Sequence, residues 1–223
     1  MATIKELIWA YQYYKAPNLL ISLNDVLKCR QHSRGKLSPT LLENIILGGH
    51  QHWLKHHLNV NYPNMKREVM KALTSPFPIL SSPSPYVNFE DLYIELNKRL
   101  CPHGKFIKGI SYLTLYDMAL RIGYILLPKP ILPEEKLYLY RGAFDGYCIL
   151  QKHMAHLGLP SISKPGSYDM TIFKGVFNPI PSMYIEDLLC VYHKDFPYLT
   201  SMSFEDLQKK LSYGKNAPQI YRP

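Results

Sequence analysis

The chain has 223 residues, enough for one large domain or two small ones with a real hydrophobic core. Apolar residues make up 47% of it, which argues against wholesale disorder, and no run approaches the about eighteen apolar residues that a membrane-spanning helix needs. The formal charge of +9 permits a polyanionic partner without demanding one, because it is spread evenly: 12 basic and 7 acidic side chains in residues 1–100, 14 and 10 in residues 101–223.

The opening residues, Met1 to Glu6, have no basic region followed by an apolar run. No secretion signal is expected there, and the expectation is a cytoplasmic location with no membrane partner. The four cysteines, Cys29, Cys101, Cys148 and Cys190, lie 72, 47 and 42 residues apart with no Cys-x-x-Cys pair. That spacing supports neither a zinc ribbon nor a disulfide framework, so free thiols are expected, with no structural metal and no cofactor.

In chain order, Thr3 to Tyr14 places Ile4, Leu7, Ile8 and Tyr11 on one helical face behind Thr3 as a cap. Ser22 is expected to cap a second helix through about Lys28. After it, Lys28, Arg30, Arg34 and Lys36 form an acid-free basic loop that either tracks a phosphate backbone or is simply solvated. Ser38-Pro39-Thr40 is a strong start for a helix running to Leu47, where Gly48 and Gly49 break it. Further helices are predicted over Gln51 to Leu58 and Asn64 to Leu73. In the first of these, His50, His52, His56 and His57 cluster, and His52 and His56 share a face at a spacing that can chelate a metal. No glutamate lies between them and no third ligand is evident, so a solvated polar face near Trp53 is the simpler reading.

Residues 74–86 contain four prolines and four serines and read as an extended connection. Asn88 caps the next helix, through Leu100, with Glu90 and Asp91 in the first turn where the helix dipole favours acids. Pro102 and Gly104 end it. Ser111 to Leu126 is the clearest amphipathic pattern, with Leu115, Ala119, Ile122 and Leu126 on one face. A proline-rich crossover comes next, and Leu137 to Tyr140 alternates as a short strand does. Gly142 to Leu157 reads as helix, stopped by Gly158 and Pro160. Residues 160–181 read as an irregular excursion. Ser182 caps a helix to about His193, and Ser203 caps a last one to Leu211. The sum is a mainly α chain, a multi-helix globular bundle with at most one short strand or hairpin near 137–140. Its expected division is a helical subdomain over residues 1–73, a connection over 74–87 and a larger helical domain over 88–223 with a hairpin at 101–114.

That hairpin is the most specific local feature. Ile107-Lys-Gly-Ile-Ser-Tyr-Leu-Thr114 resembles the turn of the helix-hairpin-helix module, whose pattern is apolar-x-Gly-apolar-Gly with a small residue early in the second helix. Gly109, Ile110 and Thr114 match. Ser111 stands where the module has its second glycine, and Leu115 where it has alanine. The resemblance covers about residues 95–126 and implies sequence-independent binding of a nucleic-acid backbone, DNA before RNA. A glycine lets the turn close, and amide groups at the start of the next helix hold a phosphate. The candidate contacts are Lys98, Arg99, Lys105, Lys108, Gly109, Ser111 and Thr114. The basic flanks fit, with no acid among them. The same residues also read as an ordinary glycine turn between packed helices with Ser111 as N-cap.

A wider stretch, from Gly109 to Gly123 and again from Pro133 to Ala143, resembles a group of bacterial proteins to which no activity is attached. It implies an intracellular, bacterial-type protein and no chemistry. Helix-hairpin-helix DNA glycosylases carry a catalytic aspartate well past the hairpin. Here the nearest acid, Asp117, is only eight residues past Gly109 and stands i,i+4 to Arg121, as in an ordinary helix ion pair. Asp117, Arg121, Arg141 and Asp145 form a candidate polar cluster, catalytic or purely structural. Among 18 tyrosines, Tyr112 and Tyr116 lie one turn apart beside the hairpin, able either to stack on bases or to line a half-buried face. Three readings stand at this point: a non-catalytic nucleic-acid binder, a structural protein whose partner is another protein, and an enzyme acting on nucleic acid.

Overall fold

The computed structural model describes residues 16–47, 62–177 and 180–199. The predicted helices over Thr3–Tyr14, Gln51–Leu58 and Ser203–Leu211, and the histidine cluster, lie outside these residues. Within them the protein is mainly helical, with one two-stranded antiparallel sheet. The described residues divide into two compact units, one within residues 21–133 and one from Glu134 to Leu199 with Ala16–Leu20.

α1 spans Ala16–His32, belonging to the first unit from Ile21 onward, and α2 spans Pro39–Leu47. The helix predicted to begin at Ser22 in fact begins earlier. Pro17 in its first turn costs nothing, since that amide would lack a partner anyway, and the Ser22 hydroxyl instead accepts from Arg121 Nη2 at 3.4 Å. The expected basic loop is also corrected: Lys28 and Arg30 belong to the last turns of α1, and Leu23, Val26 and Arg30 lie along one buried stripe. Arg34 and Gly35, both at positive φ, close the helix, with the Gly35 amide donating to the Arg30 carbonyl at 3.1 Å. α2 begins as predicted. Ser38 Oγ accepts from the Leu41 amide at 3.1 Å, and Leu41, Leu42, Ile45 and Ile46 are buried.

α3 (Tyr62–Thr74) buries Met65, Val69 and Leu73, and its Lys66 pairs with Glu43 of α2 at 2.5 Å. The Pro/Ser-rich stretch after it runs inside this unit rather than between the two. Ile79 and Leu80 are buried, and the Ser84 amide donates to the Leu127 carbonyl at 3.0 Å. α4 (Phe89–Leu100) starts at Asn88, whose side chain accepts from the Asp91 amide at 2.9 Å.

α5 (Tyr112–Tyr124) packs on α4 and α2 and forms the centre of the unit. It is not the amphipathic helix expected. Every residue from Leu113 to Gly123 is buried, including Thr114, Asp117 and Arg121, whose polarity imitates a solvent face in the sequence. Gly123 is needed there, because a Cβ would meet the Ile131 carbonyl oxygen at 2.2 Å.

In the second unit, β1 (Lys136–Leu139) pairs with β2 (Gly166–Asp169) in the register Lys136 to Asp169 and Leu139 to Gly166. The excursion expected over 160–181 is therefore partly regular: β2, a single 3-10 turn at Met170–Phe173 and a short α7 (Lys174–Phe177). α6 (Gly142–His153) and α8 (Ser182–Leu199) pack closely on each other and on β1. Leu137, Leu139, Tyr147, Phe173, Phe177 and Leu189 are central to the core between them. The Tyr147 hydroxyl donates to the Pro160 carbonyl at 2.6 Å, and burial, with Cys148 and Tyr168 nearby, pushes its pKa well up. Ser182, expected as an N-cap, is the first residue of α8. Its hydroxyl donates across to the Lys136 carbonyl, while the Pro181 carbonyl receives the first amides of the helix.

Candidate nucleic-acid interface

The segment between α4 and α5 is built by short-range bonds. The Cys101 amide closes α4 on Asn97, and Pro102–Gly104 makes one 3-10 turn with His103 and Gly104 at positive φ. The Ile107 amide then donates to the Leu100 carbonyl at 2.9 Å, and the Ile110 amide to the Ile107 carbonyl at 2.9 Å. The second bond defines a β-turn, Ile107-Lys108-Gly109-Ile110. Gly109, at φ +93, occupies the third position, in the left-handed region where a residue without Cβ meets no steric penalty. Ile110 is buried and fastens the turn to the core. Ser111 is fully extended and caps α5, its hydroxyl accepting from the Thr114 amide at 3.4 Å and lying 3.1 Å from the Thr114 hydroxyl. The other first-turn amides of a helix have no acceptor within it.

The turn brings together only part of the predicted set. Lys98, Lys105 and Lys108 are exposed, and no carboxylate side chain occurs between residues 96 and 116. Gly109 and Ser111 are part of the turn itself. Arg99 points elsewhere: it pairs with Glu95 at 2.7 Å and donates to the carbonyls of Ala72 and Phe77 at 3.2 and 2.7 Å, tying the end of α3 and the chain after it to α4. Thr114 is buried and serves the cap.

The two tyrosines beside the turn separate. Tyr116 has no exposed surface and meets Phe89 edge-on, with ring centroids 6.1 Å apart. Tyr112 is 51% exposed and stands at 89° to Phe106, with centroids 4.8 Å apart. The pairing with Phe106 has no signature in the sequence. Six residues is no helical or strand spacing, and only the glycine turn folds the two rings onto one another.

Of the candidate polar cluster, Asp117 and Arg121 lie in the first unit, Arg141 and Asp145 in the second. Arg121 is buried to 1% exposure. Its Nη1 donates to the Asp117 backbone carbonyl at 3.0 Å and its Nε has no hydrogen-bond partner. Burial lowers its pKa, and the nearby Asp117 carboxylate opposes that. Arg141 and Asp145 are exposed at the start of α6. Arg141 adopts φ 42, ψ −116, and its carbonyl receives the Asp145 amide at 2.9 Å. All four cysteines are free thiols, with Cys190 buried and the other three half-buried. Among the described residues no group of three His, Cys, Asp or Glu side chains is placed to hold a metal ion, and no helix is long and apolar enough to cross a membrane. Compared with known protein families, with curated proteins and with solved structures, the chain matches none.

Proposed function

We propose that this protein binds nucleic acid through its sugar–phosphate backbone, without sequence preference, at the turn between α4 and α5. The observation that carries the proposal is the turn itself. Lys105 and Lys108 stand exposed on a glycine-closed loop that leads directly into a capped helix start, in a stretch free of carboxylates. A phosphate approaching there meets lysine ammonium groups and the positive end of the α5 dipole together. Contacts of lysine ammonium groups and helix amides with phosphate are of the positioning kind and carry no sequence information. Lys98, one helical turn before the loop, extends the positive surface, whereas Arg99 and Thr114 belong to the fold.

The test is binding of mixed-sequence DNA and RNA at two salt concentrations. Affinity is expected to fall steeply with salt as counterions are released. The double substitution Lys105→Ala, Lys108→Ala should weaken binding uniformly across sequences and make the salt slope shallower by up to about two units. A protein that binds no nucleic acid at low salt would sink the proposal. It would favour instead a protein partner.

A further inference from the structure

We propose that the partner at this turn is an unpaired strand, recognised by a base stacking on Tyr112. The inference rests on the backbone-binding reading above and names the form of nucleic acid that the site takes. An aromatic ring, Tyr112, stands half in water at the first position of α5. Its neighbour one turn along, Tyr116, is wholly buried, so the sequence Tyr-Leu-Thr-Leu-Tyr separates one core ring from one surface ring.

The surface ring is held in place. Phe106 meets Tyr112 edge-to-face, an arrangement that the opposed quadrupoles of two rings favour. Beside Phe106, about half of the Tyr112 surface stays open to water. The platform therefore has its orientation fixed before any ligand arrives, which reduces the ordering entropy of binding.

Its surroundings match the chemistry of a single strand. Lys105 adjoins Phe106 in the chain, Lys108 precedes the glycine of the turn, and both are exposed. Lysines that take phosphates beside an aromatic that takes a base are the two components of sequence-tolerant single-strand binding. A duplex keeps its bases stacked on one another and offers such a ring nothing but its ends, whereas its phosphates are equally open to Lys105 and Lys108. Tyr112 thus adds affinity for unpaired strands alone.

The experiment measures anisotropy of a labelled mixed-sequence single strand, the same strand annealed to its full complement as a blunt-ended duplex, and heparin as a polyanion without bases. The unmodified protein should bind the single strand more tightly than the duplex. Tyr112→Leu, which keeps apolar bulk and loses the π face, should weaken single-strand binding by about five- to 150-fold, the range for loss of one stacked base. It should leave duplex and heparin binding unchanged. Tyr112→Phe should bind as the unmodified protein does, which separates stacking from any role of the hydroxyl or of the fold. Equal affinity for strand and duplex, unmoved by Tyr112→Leu, would overturn this inference and leave the backbone-binding proposal standing. Binding of neither would overturn both.

Discussion

Two turns in this protein each deliver the chain into a long helix, and each does so through a residue at positive φ. In the first unit the residue is Gly109, at φ +93. In the second it is Arg141, at φ 42 and ψ −116, outside the regions that a residue with a Cβ ordinarily occupies. The first turn incurs no steric cost and the second about 1–3 kcal/mol. The two differ in the demands of the helix that each turn starts. After Gly109, Ser111 opens α5 in relaxed extended geometry with a side-chain cap, and the turn is fastened by a single buried residue, Ile110. After Arg141, α6 must start at once, at the end of β1, and lie so close to α8 that a Cβ is crowded at Gly142 and does not fit at Gly146. At Gly142 a Cβ would stand 3.0 Å from Cys190 Sγ, and at Gly146 it would stand 1.9 Å from the Leu189 carbonyl oxygen. Packing dictates the second turn, and the strain at Arg141 is its local consequence. Local chemistry alone is enough for the first, which leaves its exposed residues open to a binding role.

The largest test of this contrast is Gly146→Ala. The atom in the way is backbone, so it cannot swing aside, and α6 and α8 must separate. Against the gain in helix propensity of about 1 kcal/mol, the overpacking should cost about 3 kcal/mol or more, at the top of its usual range. The result is read as a fall in the urea midpoint at unchanged slope. A midpoint equal to that of the unmodified protein would mean that the two helices do not depend on this contact, and the claim that packing dictates the Arg141 turn would fail with it.

Gly109→Val is the corresponding change in the first unit and should do less. A β-branched residue at φ +93 incurs the left-handed penalty of about 2 kcal/mol, but Gly109 lies half-buried in a turn rather than between two packed helices. The protein should therefore stay folded with a modestly lower midpoint, and its affinity for nucleic acid should fall because the loop carrying Lys105 and Lys108 is redrawn. A folded Gly109→Val protein with unchanged affinity would remove the turn from the binding surface.

How far the sequence revealed these features depends on the range of the forces involved. The caps at Ser38, Asn88 and Ser111 were readable because each is settled within three residues, by a side chain and the amide it takes. So was a short strand, expected over Leu137–Tyr140 and found at Lys136–Leu139, because its alternation is local. β2 was not, because Gly-Ser-Tyr-Asp has no strand pattern and pairs only because the edge of β1 lies alongside. Arg99 looked like part of a basic surface, yet its acceptors include carbonyls 27 and 22 residues away. The helix around Asp117 and Arg121 looked amphipathic for a similar reason: the sequence shows polarity, and only packing shows that the polar groups are inside. At the candidate site, the lysines and the glycine were legible, whereas the setting of Tyr112 on Phe106 appeared only once the turn was closed.

The smallest effect is also the most direct measure of the strain at Arg141, and it comes from comparing two substitutions rather than from one. Arg141→Ala and Arg141→Gly both remove the side chain and whatever it contacts, so those losses cancel between them. What remains is the backbone. In a relaxed helix start alanine would be the more stable by about 0.5–1 kcal/mol, because glycine loses more freedom on folding. At φ 42, ψ −116 the order should reverse. Alanine keeps the Cβ that conflicts with this geometry, glycine does not, and relief of about 1–3 kcal/mol of strain outweighs the entropy term. The glycine variant should therefore be the more stable of the two by about 1 kcal/mol, read as a higher urea midpoint. If alanine proves the more stable, the backbone at Arg141 is unstrained, and the two turns differ in sequence but not in energy.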